Sequence, residues 1–208
     1  MAKLPVKILL SVAVITTGLV VIFVAANRRT ETPNIPTFAS TFATPTPFPS
    51  VNSETTTTIE APDGKVILAV TQKIVGEGIN EAFSVQDKTG SQTEIYSEVV
   101  PTGNNLSVPY NTFSPDDKYL FLKESTPSQT YYYVLATNGK PVTGSQNTLE
   151  ISSLFYAKYT DFTITDVTGW GGINILVVNT NNKDGSQGPS FWFEVPGGGF
   201  TRLSTRFN

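Results

Sequence analysis

Ala61-Pro62-Asp63-Gly64-Lys65-Val66-Ile67-Leu68 and Ser114-Pro115-Asp116-Asp117-Lys118-Tyr119-Leu120-Phe121 are two versions of one phrase, 53 residues apart. In each, proline fixes φ and ends the pairing of an incoming strand. The Asp-Gly or Asp-Asp that follows favours a tight turn through side-chain bonds to the backbone, and a β-rich apolar run comes next. A third, degraded copy is Thr168-Gly169-Trp170-Gly171-Gly172-Ile173-Asn174-Ile175. The downstream halves match as well: Phe83–Gly90, Tyr132–Gly139 and Phe191–Gly198 each carry an aromatic-rich strand into a glycine turn. Self-similarity at a fixed offset is the mark of a repeat architecture.

Around these phrases, short β-rich runs alternate with Asp-Gly, Asn-Gly, Gly-Gly and Pro punctuation. No helix-length window outside residues 8–26 repeats its apolar residues every 3.6 positions, which predicts an all-β domain over 59–208. Three units of four strands fit the pattern. The first is 55–98, with strands near 56–61, 65–72, 82–87 and 92–98. The second is 107–154 (107–113, 119–125, 130–136, 148–154), and the third is 161–205 (162–167, 173–180, 190–195, 200–205). The run Tyr119-Leu120-Phe121-Leu122 lacks polar alternation and is predicted to be buried on both faces. Asp63, Gly64, Gly90, Pro115, Asp116, Asp117, Gly139 and Gly198 read as turn residues of the repeats.

Ser-Pro-Asp-Asp-Lys-Tyr-Leu at 114–120, followed by an aromatic strand ending in a glycine turn, resembles the WD-like repeats of TolB-type and prolyl-oligopeptidase-type β-propellers. Phe191 to Ser204 is similar to the close of such a repeat. The resemblance runs over 55–208, good in the second unit, fair in the first and poor in the third. It implies a propeller-like array of about three four-stranded units and hardly bears on function, since propellers host unrelated activities. Closed propellers typically have four to eight blades, so three imply an open arc, a compact three-blade core or self-association. The alternative fold is a β-sandwich or irregular barrel.

The N-terminus sets the expected location. Ile8–Ala26 is an uncharged apolar run of 19 residues, about 28 Å as a helix and close to the hydrocarbon thickness of a bilayer. It is predicted to be a retained signal-anchor helix, with residues 1–7 as a cytoplasmic tail and the C-terminal domain extracytoplasmic. Secretion after signal cleavage near Ala26 is the alternative. Residues 27–58 carry five prolines and ten threonines, which predicts a disordered Thr/Pro-rich linker. Four of the 14 basic residues precede residue 30, leaving 10 basic against 17 acidic, a net of −7. That balance argues against nucleic acid as a partner.

The chain has no His and no Cys, so imidazole-based triads, thiolate nucleophiles, disulfides and thiolate metal sites are excluded. Carboxylates, Lys, Tyr, Ser and Thr remain. Asp63, Asp87, Asp116, Asp117, Glu124, Asp161, Asp166, Asp184 and Glu194 are the candidate catalytic carboxylates, and spacing selects no pair. Asp184-Gly185 reads as a hairpin turn, because the EF-hand spacing is incomplete at Phe191. Asn105-Leu106-Ser107 fits the glycosylation triplet and marks a polar loop. Among aromatics, strand alternation sends Ser84, Tyr133 and Trp192 one way. Phe83, Val85, Tyr132, Val134, Phe191 and Phe193 go the other way, inward. Tyr133, Trp170 and Trp192 are candidate ligand-stacking residues, with packing between sheets as their other role.

These features predict a single-pass, non-catalytic binding or scaffold module for envelope proteins or polysaccharide. No catalytic residue, metal or cofactor is expected, and homo-oligomerisation is open. A carboxylate-dependent glycan hydrolase and a self-assembling surface subunit are the alternatives.

Overall fold

The computed structural model describes residues 53–207; the tail, the apolar run Ile8–Ala26 and the linker as far as residue 52 lie outside the described residues. Among the described residues no helix is long and apolar enough to cross a membrane. Twelve strands of the described residues form three four-stranded antiparallel sheets, each a meander of consecutive strands. Sheet 1 contains β1 (Glu54–Glu60), β2 (Val66–Val75), β3 (Gly78–Asp87) and β4 (Gln92–Pro101). Sheet 2 contains β5 (Asn105–Ser107), β6 (Tyr119–Ser125), β7 (Thr130–Ala136) and β8 (Thr148–Glu150). Sheet 3 contains β9 (Phe162–Gly172), β10 (Ile175–Asn182), β11 (Gln187–Glu194) and β12 (Gly199–Arg202). Grouping and order match the sequence pattern.

The repeated phrase occupies the same place in sheets 1 and 2, the turn from first to second strand. Gly90, Gly139 and Gly198 all sit between third and fourth strands, at φ of 82°, 69° and 69°. Boundaries differ where the sequence cues are local. β1 takes in Thr55–Thr58, which composition put in the linker; these β-branched residues pair with Ala69–Gln72 of β2. The β2–β3 hairpin extends to Val75 and Gly78, beyond the expected ends. β5 is only three residues long, and residues 108–118 run as a loop joined to β6 by the Phe113–Leu120 bridge.

One element was not expected at all. Residues 148–154, predicted as a single strand, divide into β8 and a short helix, α1 (Ile151–Tyr156). The helix carries the chain from sheet 2 to sheet 3. Ile151 and Phe155, four residues apart, share its inner face and are fully buried. At six residues α1 is shorter than any window in which a helical period registers.

Sheet 2 is the middle layer. Leu120, Leu122 and Leu135 pack on one side with Leu68, Val70, Phe83 and Val85 of sheet 1. Phe121, Tyr132, Val134 and Ala136 pack on the other with Leu176, Val178, Phe191 and Phe193 of sheet 3. The Tyr119–Leu122 run is thus covered on both faces, as its lack of alternation requires. Phe155 of α1 seals the second seam, its ring 5.0 Å from that of Phe191 and 5.3 Å from that of Phe200. Burying each such side chain contributes about 1.5–3 kcal/mol. Among the described residues no closed barrel forms.

The two outer faces are finished differently. No outward-facing residue of sheet 1 is buried. On sheet 3 the segment after β12 folds across the outer face. Phe207 donates its amide to Ser190 Oγ at 2.8 Å, and Asn179 Nδ2 donates to the Phe207 carbonyl at 3.0 Å. Arg206 Nη1 donates to the Thr180 carbonyl at 3.0 Å. Asn179 and Ser190 are buried beneath this strap.

Candidate functional site

The two Pro-Asp turns are built alike. In the first, Gly64 N–H donates to the Ala61 carbonyl at 2.9 Å, and Lys65 N–H donates to Asp63 Oδ1 at 2.8 Å. In the second, Asp117 N–H donates to the Ser114 carbonyl at 2.9 Å, and Lys118 N–H donates to Asp116 Oδ1 at 3.4 Å. Each first aspartate also pairs with its own lysine, Asp63 with Lys65 and Asp116 with Lys118. One position breaks the match. Where the first turn has Gly64 at φ 69°, the second has Asp117 at φ 55°, the only non-glycine with positive φ among the described residues. That conformation costs a side-chain-bearing residue roughly 1–2 kcal/mol.

Asp117 therefore does not brace its turn, as the sequence pattern suggests for both members of the Asp116-Asp117 pair; only Asp116 does. Asp117 as a residue is 8% exposed, and its carboxyl accepts no hydrogen bond from any N–H or O–H group of the described residues other than a carboxyl partner. Its carboxyl meets that of Asp63 across the two turns, within hydrogen-bonding reach. The two groups separate in acidity. Burial first, then the Asp63 carboxylate, pushes Asp117 up to about 6. The Lys65 ammonium holds Asp63 down at about 2, helped by the proton that Asp117 donates. Two carboxyls in contact cannot both ionise freely, so one proton is shared until the pH passes the higher value.

This pair lies in the wall of a cleft of about 470 Å³ where all three sheets contribute. Ile59 and Glu60 come from the end of β1 and Asp63 from the first turn. Tyr110, Asn111 and Asp117 come from the β5–β6 connection, and Trp170 from β9. Trp170 is fixed by its indole N–H, which donates to the Thr112 carbonyl at 2.9 Å, and it stacks on Tyr119 at 6.4 Å. Asn111 donates to the Thr168 carbonyl and ties the connection to sheet 3. Tyr110 is fully exposed at the rim.

The three aromatic candidates do not share one surface. Trp170 faces sheet 2 and the cleft. Trp192, 39% exposed, lies on the opposite, outer face of sheet 3, in line with Val177 and Thr201. Tyr133 is in the seam between sheets 1 and 2, where it stacks on Tyr96 at 6.3 Å and donates to Glu124 Oε2 at 2.7 Å. The inward set, Phe83, Val85, Tyr132, Val134, Phe191 and Phe193, is buried throughout. Gly64, Gly90, Pro115, Gly139 and Gly198 occupy turns or lead into them, and Asp184 bonds Ser186 N–H at 2.9 Å inside the β10–β11 hairpin.

Among the described residues no group of three acidic side chains is arranged to hold a metal ion. Tyr110, Asn111 and the inward role of Asp117 were missed by sequence reasoning. Aligning the two phrases does mark Asp117, as the carboxylate that replaces a turn glycine. Compared with known proteins, the chain matches no family model and no curated sequence.

Proposed function

We propose that this chain is a single-pass, membrane-anchored, extracytoplasmic binding module without catalytic activity. In this reading its β-domain is a propeller-like arc of three TolB- or WD-like blades, and its ligand, an envelope protein or polysaccharide, docks in the cleft between the first strands. The observation that carries it is the cleft itself. Residues 59–63, 110–117 and 170, distant in sequence, converge there on a scaffold of three packed sheets, and rigidly mounted loops are where recognition is usually built. The apolar run Ile8–Ala26 and the acidic balance of the rest support an exterior setting.

The test uses the full-length chain, solubilised from membranes in mild detergent, as bait for envelope extracts. Wild type should retain a discrete protein or glycan that the Tyr110→Ala/Asp117→Gly double variant does not retain. Equal retention by both would end the case for this cleft. Recovery of the full-length chain in the cytosolic fraction would end the case for the anchor.

A second reading, a carboxylate-dependent hydrolase, is favoured by the Asp63–Asp117 pair, since two carboxyls of split acidity in one cleft are what such chemistry needs. Their separation counts against glycoside hydrolysis. That reaction places its carboxyls about 5–9.5 Å apart, whereas these are in hydrogen-bonding contact. Hydrolysis of envelope glycan that Asp117→Asn abolishes would favour the hydrolase over the binding module.

A further inference from the structure

We infer that the cleft is a receptor for one cationic side chain, the guanidinium or ammonium of an arginine or lysine on an extended segment of a partner polypeptide. The inference rests on the binding reading above and names its ligand.

Asp117 carries the argument. It is more than nine-tenths buried, lines the cleft, and has no N–H donor and no lysine of its own, unlike Asp63 and Asp116. A carboxylate set in a cleft wall loses part of its hydration, so a donor added there is favourable. Its sister turn shows that glycine serves the fold at this position without strain, so the aspartate stands here against the local preference of the backbone. The charged groups facing it are Asp63 and Lys65 from the β1–β2 turn and Asp116 from its own turn, with Glu60 on the cleft wall. Three of these four are acidic, and the cation is already engaged with Asp63.

The donor set selects the class of cation. Two carboxyls side by side fit the two-pronged edge of a guanidinium, or a single ammonium, better than a divalent metal, for which a third ligand is lacking among the described residues. The Trp170 and Tyr110 rings offer faces for the cation and its alkyl stem. The neighbouring strand selects the carrier. β1 is the edge of sheet 1, and its free side pairs with nothing among the described residues. Its last residues, Ile59 and Glu60, form the cleft wall. An extended polypeptide can add to that edge through its backbone and deliver a side chain into the cleft. A glycan has no such ladder to offer.

The test follows Trp170 fluorescence in the full-length Trp192→Phe chain in detergent, titrated with Gly-Arg-Gly, Gly-Lys-Gly and the neutral Gly-citrulline-Gly. Arginine and lysine peptides should bind saturably and the citrulline peptide at least about tenfold more weakly. Because Asp117 ionises only above about pH 6, binding at pH 7.5 should exceed that at pH 5 by about tenfold or more. Asp117→Gly should abolish the response while its melting transition is retained or raised, and Asp116→Asn should leave it unchanged. Equal affinity for the citrulline peptide, binding that survives Asp117→Gly, or binding of glucosamine oligomers in preference to the peptides would overturn the inference. Envelope capture that is lost in the double variant while the cationic peptides fail would overturn this inference alone and leave the binding module standing.

Discussion

The two seams on either side of sheet 2 are made of different material. The seam with sheet 3 is aromatic. Phe155, Phe191, Phe193 and Phe200 interlock edge to face or tilted, with Tyr159 and Phe162 around them. Its carboxylate, Asp166, is answered by the Tyr132 hydroxyl at 3.0 Å and the Lys123 ammonium at 3.5 Å. The seam with sheet 1 mixes aliphatic side chains with Phe83 and Phe113 at one end and is acidic at the other. There Glu98 accepts from Tyr96, and Glu124 accepts from Tyr133 and Asn104, but no lysine or arginine of the described residues pairs with them. Glu81, 4% exposed, takes one bond from Gln72 at 3.0 Å and leaves Oε2 without a partner. The difference teaches that the same layered plan can be held by aromatic packing with its one carboxylate answered on one side while its other side carries an electrostatic cost.

The largest effects should come from the aromatic seam. Phe191→Ala should lower unfolding free energy by about 3–5 kcal/mol, measured by urea denaturation, because α1, β9 and β12 cannot collapse into the space left behind. Leu68→Ala in the other seam should cost about 2–4 kcal/mol, and the reverse ranking would break the comparison. Glu81→Gln should raise stability by about 1 kcal/mol at pH 8 by removing a buried charge. Burial, and then Glu98, raise the Glu81 carboxyl above its ordinary value. Its favourable share is therefore complete below the unfolded value and is lost as pH rises through the folded one, so the variant should flatten the decline of melting temperature from pH 4.5 upward. Asp117→Gly should also gain about 1 kcal/mol from backbone relief. By the same sign rule, that advantage should grow as pH rises through about 6. The smallest effect is expected from Val99→Thr on the bare outer face of sheet 1, within about 0.5 kcal/mol. A loss well beyond that, with a fall in mass by light scattering, would show that a second copy covers this face.

The strands and their grouping were legible because their signals are local. Alternation marks the outer sheets, the unbroken Tyr119–Leu122 run marks a strand between two layers, and each glycine turn closes a hairpin. Helix α1 was not legible, since Ile151 and Phe155 alone cannot declare a period. β5 was overread because Val108–Phe113 has strand composition, yet it must span the gap from sheet 2 toward Trp170 as a loop. The cleft was hidden for a different reason. Its walls come from three units, and Tyr110 and Asn111 belong to no motif. Trp170 was singled out from the sequence, but its company of Asp63 and Asp117 depends on how the sheets stack. Trp192 has the same composition cue and faces the other way, because Trp170 pairs with Leu176 and Trp192 with Val177, successive residues of β10 that point to opposite sides of the sheet.

The strap at residues 203–207 gives the three packed sheets two unlike outer faces. Head-to-tail stacking of copies would need both terminal faces free, and open-ended growth of that kind produces fibres. Here Ser190 and Asn179 are already spoken for by Phe207. The outer face of sheet 3 is thus partly covered where a second copy would stack, and drawing residues 203–207 away would bare Asn179 and Ser190.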